Sequence, residues 1–212
     1  QKVSENDVKT VVWAPHWILN DELQWATIYE LGQDMMSVAA AFQDRIHWVA
    51  RPHPLLRQNL EAHPDWGPEK TEAFFRFWSD SSFSRIEEGE YQASFLASDA
   101  LIHDSGSFLA EYLYLDRPVM YLRTEQTSSE GLNAFGRAAR AACRIGGTKR
   151  EIEDFLNDLI EGHDPAEKTR AAFIERELNP LMQPSPSVVI ANDILAALRP
   201  TQTTSRVPTH DI

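Results

Sequence analysis

Cysteine is almost missing from this 212-residue sequence: the single copy is Cys143. One thiol excludes an internal disulfide and a cysteine-built zinc site. The seven histidines never fall as H-x-H or H-x-x-x-H, so a metal-dependent hydrolase would lack its ligand pair and no metal is expected. Positive charge is scarce. Lys and Arg number 20 against 32 Asp and Glu, a net charge of −12. That excludes a general nucleic-acid binder but leaves room for one local basic patch on a phosphate. No apolar run approaches the roughly 20 residues that span a bilayer, and nothing at the start reads as a signal peptide. The expected location is therefore cytoplasmic. Also missing are G-x-G-x-x-G, which excludes an ordinary NAD site, any internal repeat, and a Met at position 1. Opening on Gln1-Lys2-Val3, the chain is expected to be a piece of a longer protein.

What is present is a core. Hydrophobic residues make up 42% of the sequence, enough for one large domain, expected over 1–198, with a polar, frayed tail over 199–212. Short β-rich runs stand at Val11–Ala14, Ile46–Ala50, Ala100–His103 and Pro118–Leu122. Between them lie helix-favouring stretches at 30–43, at 68–78 behind Pro68, and from Ser107 to Leu115. Thr148-Lys149-Arg150-Glu151 is a capping box. Behind it Ile152, Phe155, Leu156, Leu159 and Ile160 recur at helical spacing. A last helix is expected over Ser187–Leu198. Strands alternating with helices predict an α/β, Rossmann-like three-layer domain with a mainly parallel sheet.

Three of the strands end in polar or proline-held breaks, and each break carries a histidine: Ala14-Pro15-His16-Trp17, Arg51-Pro52-His53-Pro54 and His103-Asp104-Ser105-Gly106-Ser107. In open α/β sheets ligands bind beyond the carboxyl ends of the strands. Arg51 suits bidentate phosphate contact, and His53 and His16 can hydrogen-bond a phosphate oxygen or move a proton near pH 7. Ser105 and Ser107 offer hydroxyls, Gly106 permits close backbone approach, and the helix start favours an anion. The alternative for Asp104, Ser105 or Ser107 is a plain helix cap, about 1 kcal/mol. Glu111, one turn into that helix, is a candidate ribose contact or an ordinary exposed glutamate; His103 is a further candidate for ribose or donor contact. Arg137, Arg140 and Arg144 form a small basic patch, either a second phosphate contact or a solvated helix face.

The order A-P-H-W, R-P-H-P and S-D-x-L-I-x-D-S-G-S-F-x-x-E-Y-L-x-x-x-R-P-V resembles the CDP-glycerol glycerophosphotransferase family, which builds teichoic-acid-type and capsular polymers of the cell envelope. The resemblance covers about residues 8–145, and its third block is the most specific. It implies the nucleotide-donor-binding half of a two-domain GT-B transferase. Arg51 and His53 match the R-P-H-P motif, whose His the family treats as essential. Asp104, Ser105 and Ser107 match the turn that faces the diphosphate. His16 stands where many members carry Thr, and Gly106 departs from the commoner D-S-S pattern. The family's W-H-G-type motif on the acceptor side does not occur, so the acceptor-binding N-terminal domain is expected to be absent from this chain and turnover by it alone incomplete.

On that resemblance an acceptor hydroxyl attacks a CDP-activated glycerol phosphate or related group. Arg51 and the turn at Ser107 hold the diphosphate, His53 donates to the leaving phosphate and His16 assists. No cofactor is expected. The partners are the nucleotide-activated donor and, through the missing domain, a polymer or lipid-linked acceptor at the inner face of the membrane, with no nucleic acid and only peripheral membrane contact. Two rivals share the fold: a glycosyltransferase domain using a UDP- or CMP-sugar, and a non-catalytic nucleotide-binding or assembly domain.

Overall fold

Six short strands, β1 (Lys9–Ala14), β2 (Ile46–Ala50), β3 (Ser84–Ile86), β4 (Ala100–His103), β5 (Val119–Leu122) and β6 (Arg144–Gly146), pair in parallel in the order β3-β2-β1-β4-β5-β6. The computed structural model describes residues 8–18, 25–125, 131–179 and 184–198. Its chain divides into two compact units, 1–174 and 175–212. The sheet and helices α1 (Ile28–Ala41), α2 (Leu56–Ala62), α3 (Gly67–Asp80), α4 (Gln92–Ala97), α5 (Phe108–Glu111), α6 (Ala134–Ala141), α7 (Lys149–Glu161) and α8 (Glu167–Phe173) belong to the first unit. The second unit holds α9 (Pro186–Leu198).

Both faces of the sheet are buried, which explains why the strands read as apolar runs rather than alternating ones. On one face Val11, Trp13, Trp48, Ala100, Ile102, Met120 and Leu122 pack with Met35 and Val38 of α1, Phe74 and Trp78 of α3, and Phe155 and Leu156 of α7. The alternate residues Val12, Val49, Leu101, Val119 and Tyr121 point the other way and are no more than 2% exposed. The fold is the expected α/β, Rossmann-like one, in the doubly wound order whose direction reverses between β1 and β4.

The capping box forms as read. The Thr148 hydroxyl accepts the Glu151 N–H at 3.3 Å, and the Glu151 carboxylate accepts from the Thr148 hydroxyl and the Gly147 N–H, both at 2.9 Å. The helix expected from Ser107 to Leu115 is instead one α turn that tightens into a 3-10 turn, Tyr112–Leu115. It stops at Asp116, whose φ of 48° is left-handed. The three-arginine patch divides: Arg137 and Arg140 ride on α6, whereas Arg144 is in β6 and pairs with Asp158 at 2.5 Å. The tail expected over 199–212 lies outside the described residues. Among the described residues no helix is long and apolar enough to cross a membrane.

Candidate active site

The strand order sets β1 between β2 and β4, so the three histidine-bearing breaks meet at one end of the sheet, beside the point where the order reverses. Pairing continues past the strands: the Arg51 N–H donates to the Trp13 carbonyl at 2.7 Å and the His53 N–H to the Pro15 carbonyl at 3.2 Å. Two rigid proline-flanked segments thus run side by side and deliver His16 and His53 to the same cleft. This cleft, about 550 Å³, is lined by Pro15, His16, Arg51, His53, Glu87, Gly89, Tyr91, Ser105, Ser107, Phe108 and Glu111, among others.

The two imidazole rings stand with centroids 5.5 Å apart. In each, Nδ1 accepts a backbone N–H from two residues on: Ile18 to His16 and Leu55 to His53, both at 3.1 Å. An acceptor nitrogen carries no proton, so both neutral rings hold theirs on Nε2. Burial lowers the His16 pKa to about 4, helped by the neighbouring His53, and burial also lowers that of His53. Near pH 7 the cleft therefore presents two neutral rings, each with an N–H available for an acceptor.

Arg51 does not reach into the cleft as a free cation. Its guanidinium donates to the Glu87 carboxylate at 3.2 Å, to the Glu90 carbonyl at 3.3 Å and to the Gly89 carbonyl at 2.6 Å. It ties down the connection after β3, which forms the opposite wall. Glu87 is the hub of that wall, receiving Arg51, Arg85 and the Ser94 hydroxyl. Burial alone would raise its pKa, but these donors, Ser94 foremost, hold it below the ordinary value.

The third break divides. Ser105 and Ser107 line the cleft, and the Ser105 hydroxyl accepts the Ser107 N–H at 3.2 Å, leaving the Ser107 hydroxyl on the wall. Ser107 has helical backbone angles and makes no side-chain cap bond. Glu111 also lines the cleft and accepts from the Tyr91 hydroxyl. Asp104, His103 and Gly106 are not on this wall. Asp104 is fully buried and its oxygens are taken by the His16 N–H (2.6 Å), the Thr27 N–H (2.7 Å) and the Thr27 hydroxyl (2.9 Å). Its carboxylate thus contacts the connection between β1 and α1. His103 is also fully buried, against Tyr121. Gly106 faces the Trp25 ring: a Cβ there would lie 2.9 Å from it, so a side chain at this position would collide with the ring.

The wall residues Glu87, Gly89 and Tyr91 escaped the sequence reading. Their signal is the acidic run Glu87-Glu88-Gly89-Glu90, which turns at Gly89 with a φ of +78° and ends on an aromatic residue.

A family model described as CDP-Glycerol:Poly(glycerophosphate) glycerophosphotransferase matches residues 3–176. Among solved structures, the wall teichoic acid polymerase TagF in a His-to-Asn variant is 20% identical with a TM-score of 0.58, over 91% of this chain and 45% of that one. The same polymerase without substitution gives 18% and 0.54 over 91% and 46%. A UDP-GlcNAc 2-epimerase from Neisseria meningitidis, bound to UDP-GlcNAc, is 17% identical with a TM-score of 0.56, over 91% and 45%. The chain thus spans a little under half the length of these relatives. No curated protein matches it in sequence.

Proposed function

The chain belongs to the CDP-glycerol:poly(glycerophosphate) glycerophosphotransferase family, and on that premise we propose that it is the donor-binding domain of a GT-B transferase. The donor is a CDP-activated glycerol phosphate or a closely related group, passed to a cell-surface polymer through a domain outside this chain.

The observation that carries this reading is the pair of imidazoles with their protons fixed on Nε2 at the mouth of the doubly wound sheet. A diphosphate needs several donors converging on one point and held there before it arrives. His53 donates to the leaving phosphate and His16 supports it, with the Ser105–Ser107 turn beside them. Glu111 and the wall after β3 are suited to the ribose and base, since carboxylates and carbonyls accept from hydroxyl and amino groups. Arg51 acts mainly through that wall. As the acceptor hydroxyl bonds to the phosphorus of the glycerol phosphate, the bond to the CMP oxygen breaks, and charge gathers on the departing phosphate where His53 stands.

Calorimetric titration of the chain with CDP-glycerol, CDP, CMP, UDP and UDP-sugars tests the reading. Tighter binding of cytidine diphosphates than of CMP or uridine nucleotides supports it. Preference for uridine redirects it to a sugar transferase, and no binding of any nucleotide at millimolar concentration overturns it.

A further inference from the structure

We propose that Asp104 is a positioning residue for His16. Its buried carboxylate pins both ends of the connection between β1 and α1 and so sets where the His16 ring stands in the cleft. The inference rests on the donor-domain reading above for what His16 does, but not for how it is held.

One oxygen of Asp104 accepts the His16 N–H at 2.6 Å; the other accepts the Thr27 N–H at 2.7 Å and its hydroxyl at 2.9 Å. Thr27 is the residue from which α1 starts. One carboxylate just past the end of β4 therefore joins the exit of β1 to the entrance of α1. The neck is closed further by the Ile18 carbonyl, which accepts the Trp25 and Ala26 N–H groups at 3.2 and 3.0 Å. Beside it the Trp25 ring rests on Gly106, where a side chain would collide. The bond to His16 acts on its backbone N–H, while its Nδ1 accepts from Ile18 within the same neck. Moving the neck moves the ring.

The carboxylate is held in this place against the cost of burying it. Burial raises its pKa to about 6 even though the donors from Thr27 and His16 pull the other way. The ionised form is worse off here than in water, and an apolar group would relieve that only by leaving the buried His16 and Thr27 donors unpaired. What an apolar group could not do is accept three donors from two elements at once. Neither could asparagine, whose amide nitrogen would confront one of the N–H groups.

The test uses the whole chain, with CDP as probe and the imidazole proton–carbon signals of His16 and His53 as reporters. For Asp104→Asn the expected result is a displaced or broadened His16 signal, a smaller change at His53 and CDP binding weakened severalfold, by no more than in His16→Ala. His16→Ala and the double variant should bind CDP equally weakly, because the clamp acts only through His16. Additive losses, or a His16 signal that stays in place, overturn the proposal. Should Asp104→Asn fail to fold, Thr27→Val, which removes only the hydroxyl donor, decides in its place: a smaller shift of His16 in the same direction supports the clamp, and no shift overturns it. If the unmodified chain binds no CDP, the donor reading fails, while the His16 signal still decides on the clamp.

Discussion

His16 and His53 leave adjacent strands with ring centroids 5.5 Å apart, and each ring is locked by a backbone N–H donated to Nδ1 from two residues downstream. The same local device occurs twice, on segments that lie 37 positions apart in sequence and are joined by the bond from the His53 N–H to the Pro15 carbonyl. Pro15 before His16, and Pro52 and Pro54 on either side of His53, restrict the two loops. The site is therefore organised before any ligand arrives, which lowers the ordering cost of binding.

Arg51 separates two accounts of the cleft. If it braces the wall after β3, Arg51→Lys fails to restore what Arg51→Ala loses, because one ammonium cannot span a carboxylate and two carbonyls. The expected loss of CDP affinity is about tenfold for both variants, with little change in salt dependence. A direct phosphate contact would instead be largely rescued by lysine, and its removal would flatten the salt dependence. Titrations at low and high salt distinguish the two.

His103 is expected to be dispensable for the ligand. Its ring is fully buried and absent from the cleft wall. Replacing it by leucine removes the desolvation of two polar atoms, so His103→Leu should be about 1 kcal/mol more stable at pH 7, a rise of about 2–4 °C in melting temperature. CDP affinity should not change. A loss of affinity with stability intact would return His103 to the site.

Acid should weaken the fold well before general carboxylate titration. His16 and His103 have pKa values lowered by burial to about 4 and about 3, against 6.5 when free. As pH falls below 6.5 the unfolded chain takes up protons that the folded chain refuses, so stability declines by up to about 1.4 kcal/mol per unit for each. Asp104 runs the other way: raised to about 6 from 3.8, it favours the folded state as pH drops through that window. These three groups together give a net loss of roughly 2 kcal/mol between pH 7 and 5, and the lowered pKa of His53 acts in the same direction. Denaturant melts at the two values check this, and in His103→Leu the greater part of the loss should disappear.

Gly106→Ala tests the packing behind the site. The new methyl would sit 2.9 Å from the Trp25 ring, so the ring must move or the turn must shift, at a cost of about 1–3 kcal/mol. A lowered melting temperature with altered Trp25 fluorescence is expected. An unchanged protein would show that the ring yields freely.

Much of this architecture was legible in the sequence because burial on both faces of the sheet leaves apolar strands, and proline or small polar residues mark their ends. β1, β2, β4 and β5 declared themselves in this way, as did α7 through its capping box. β3 (Ser-Arg-Ile) and β6 (Arg-Ile-Gly) did not, since three residues with an arginine among them carry no periodicity. Arg144 was read with a helix face for that reason, although pairing with β5 and Asp158 places it in the sheet. At the site, sequence order located the histidines and serines. It could not tell Ser105 from Asp104, because which way a side chain turns at a strand end is decided by the element packed against it, here Thr27 at the start of α1.

The most direct test of the central claim is the affinity of the 212-residue chain for CDP, measured calorimetrically beside His53→Ala and His16→Ala. The account predicts measurable binding that His53→Ala weakens by about tenfold or more and His16→Ala by somewhat less, a loss of about 1.4 kcal/mol per factor of ten. CDP binding that is equally tight in all three proteins would contradict it, because the paired imidazoles would then not be what holds the diphosphate.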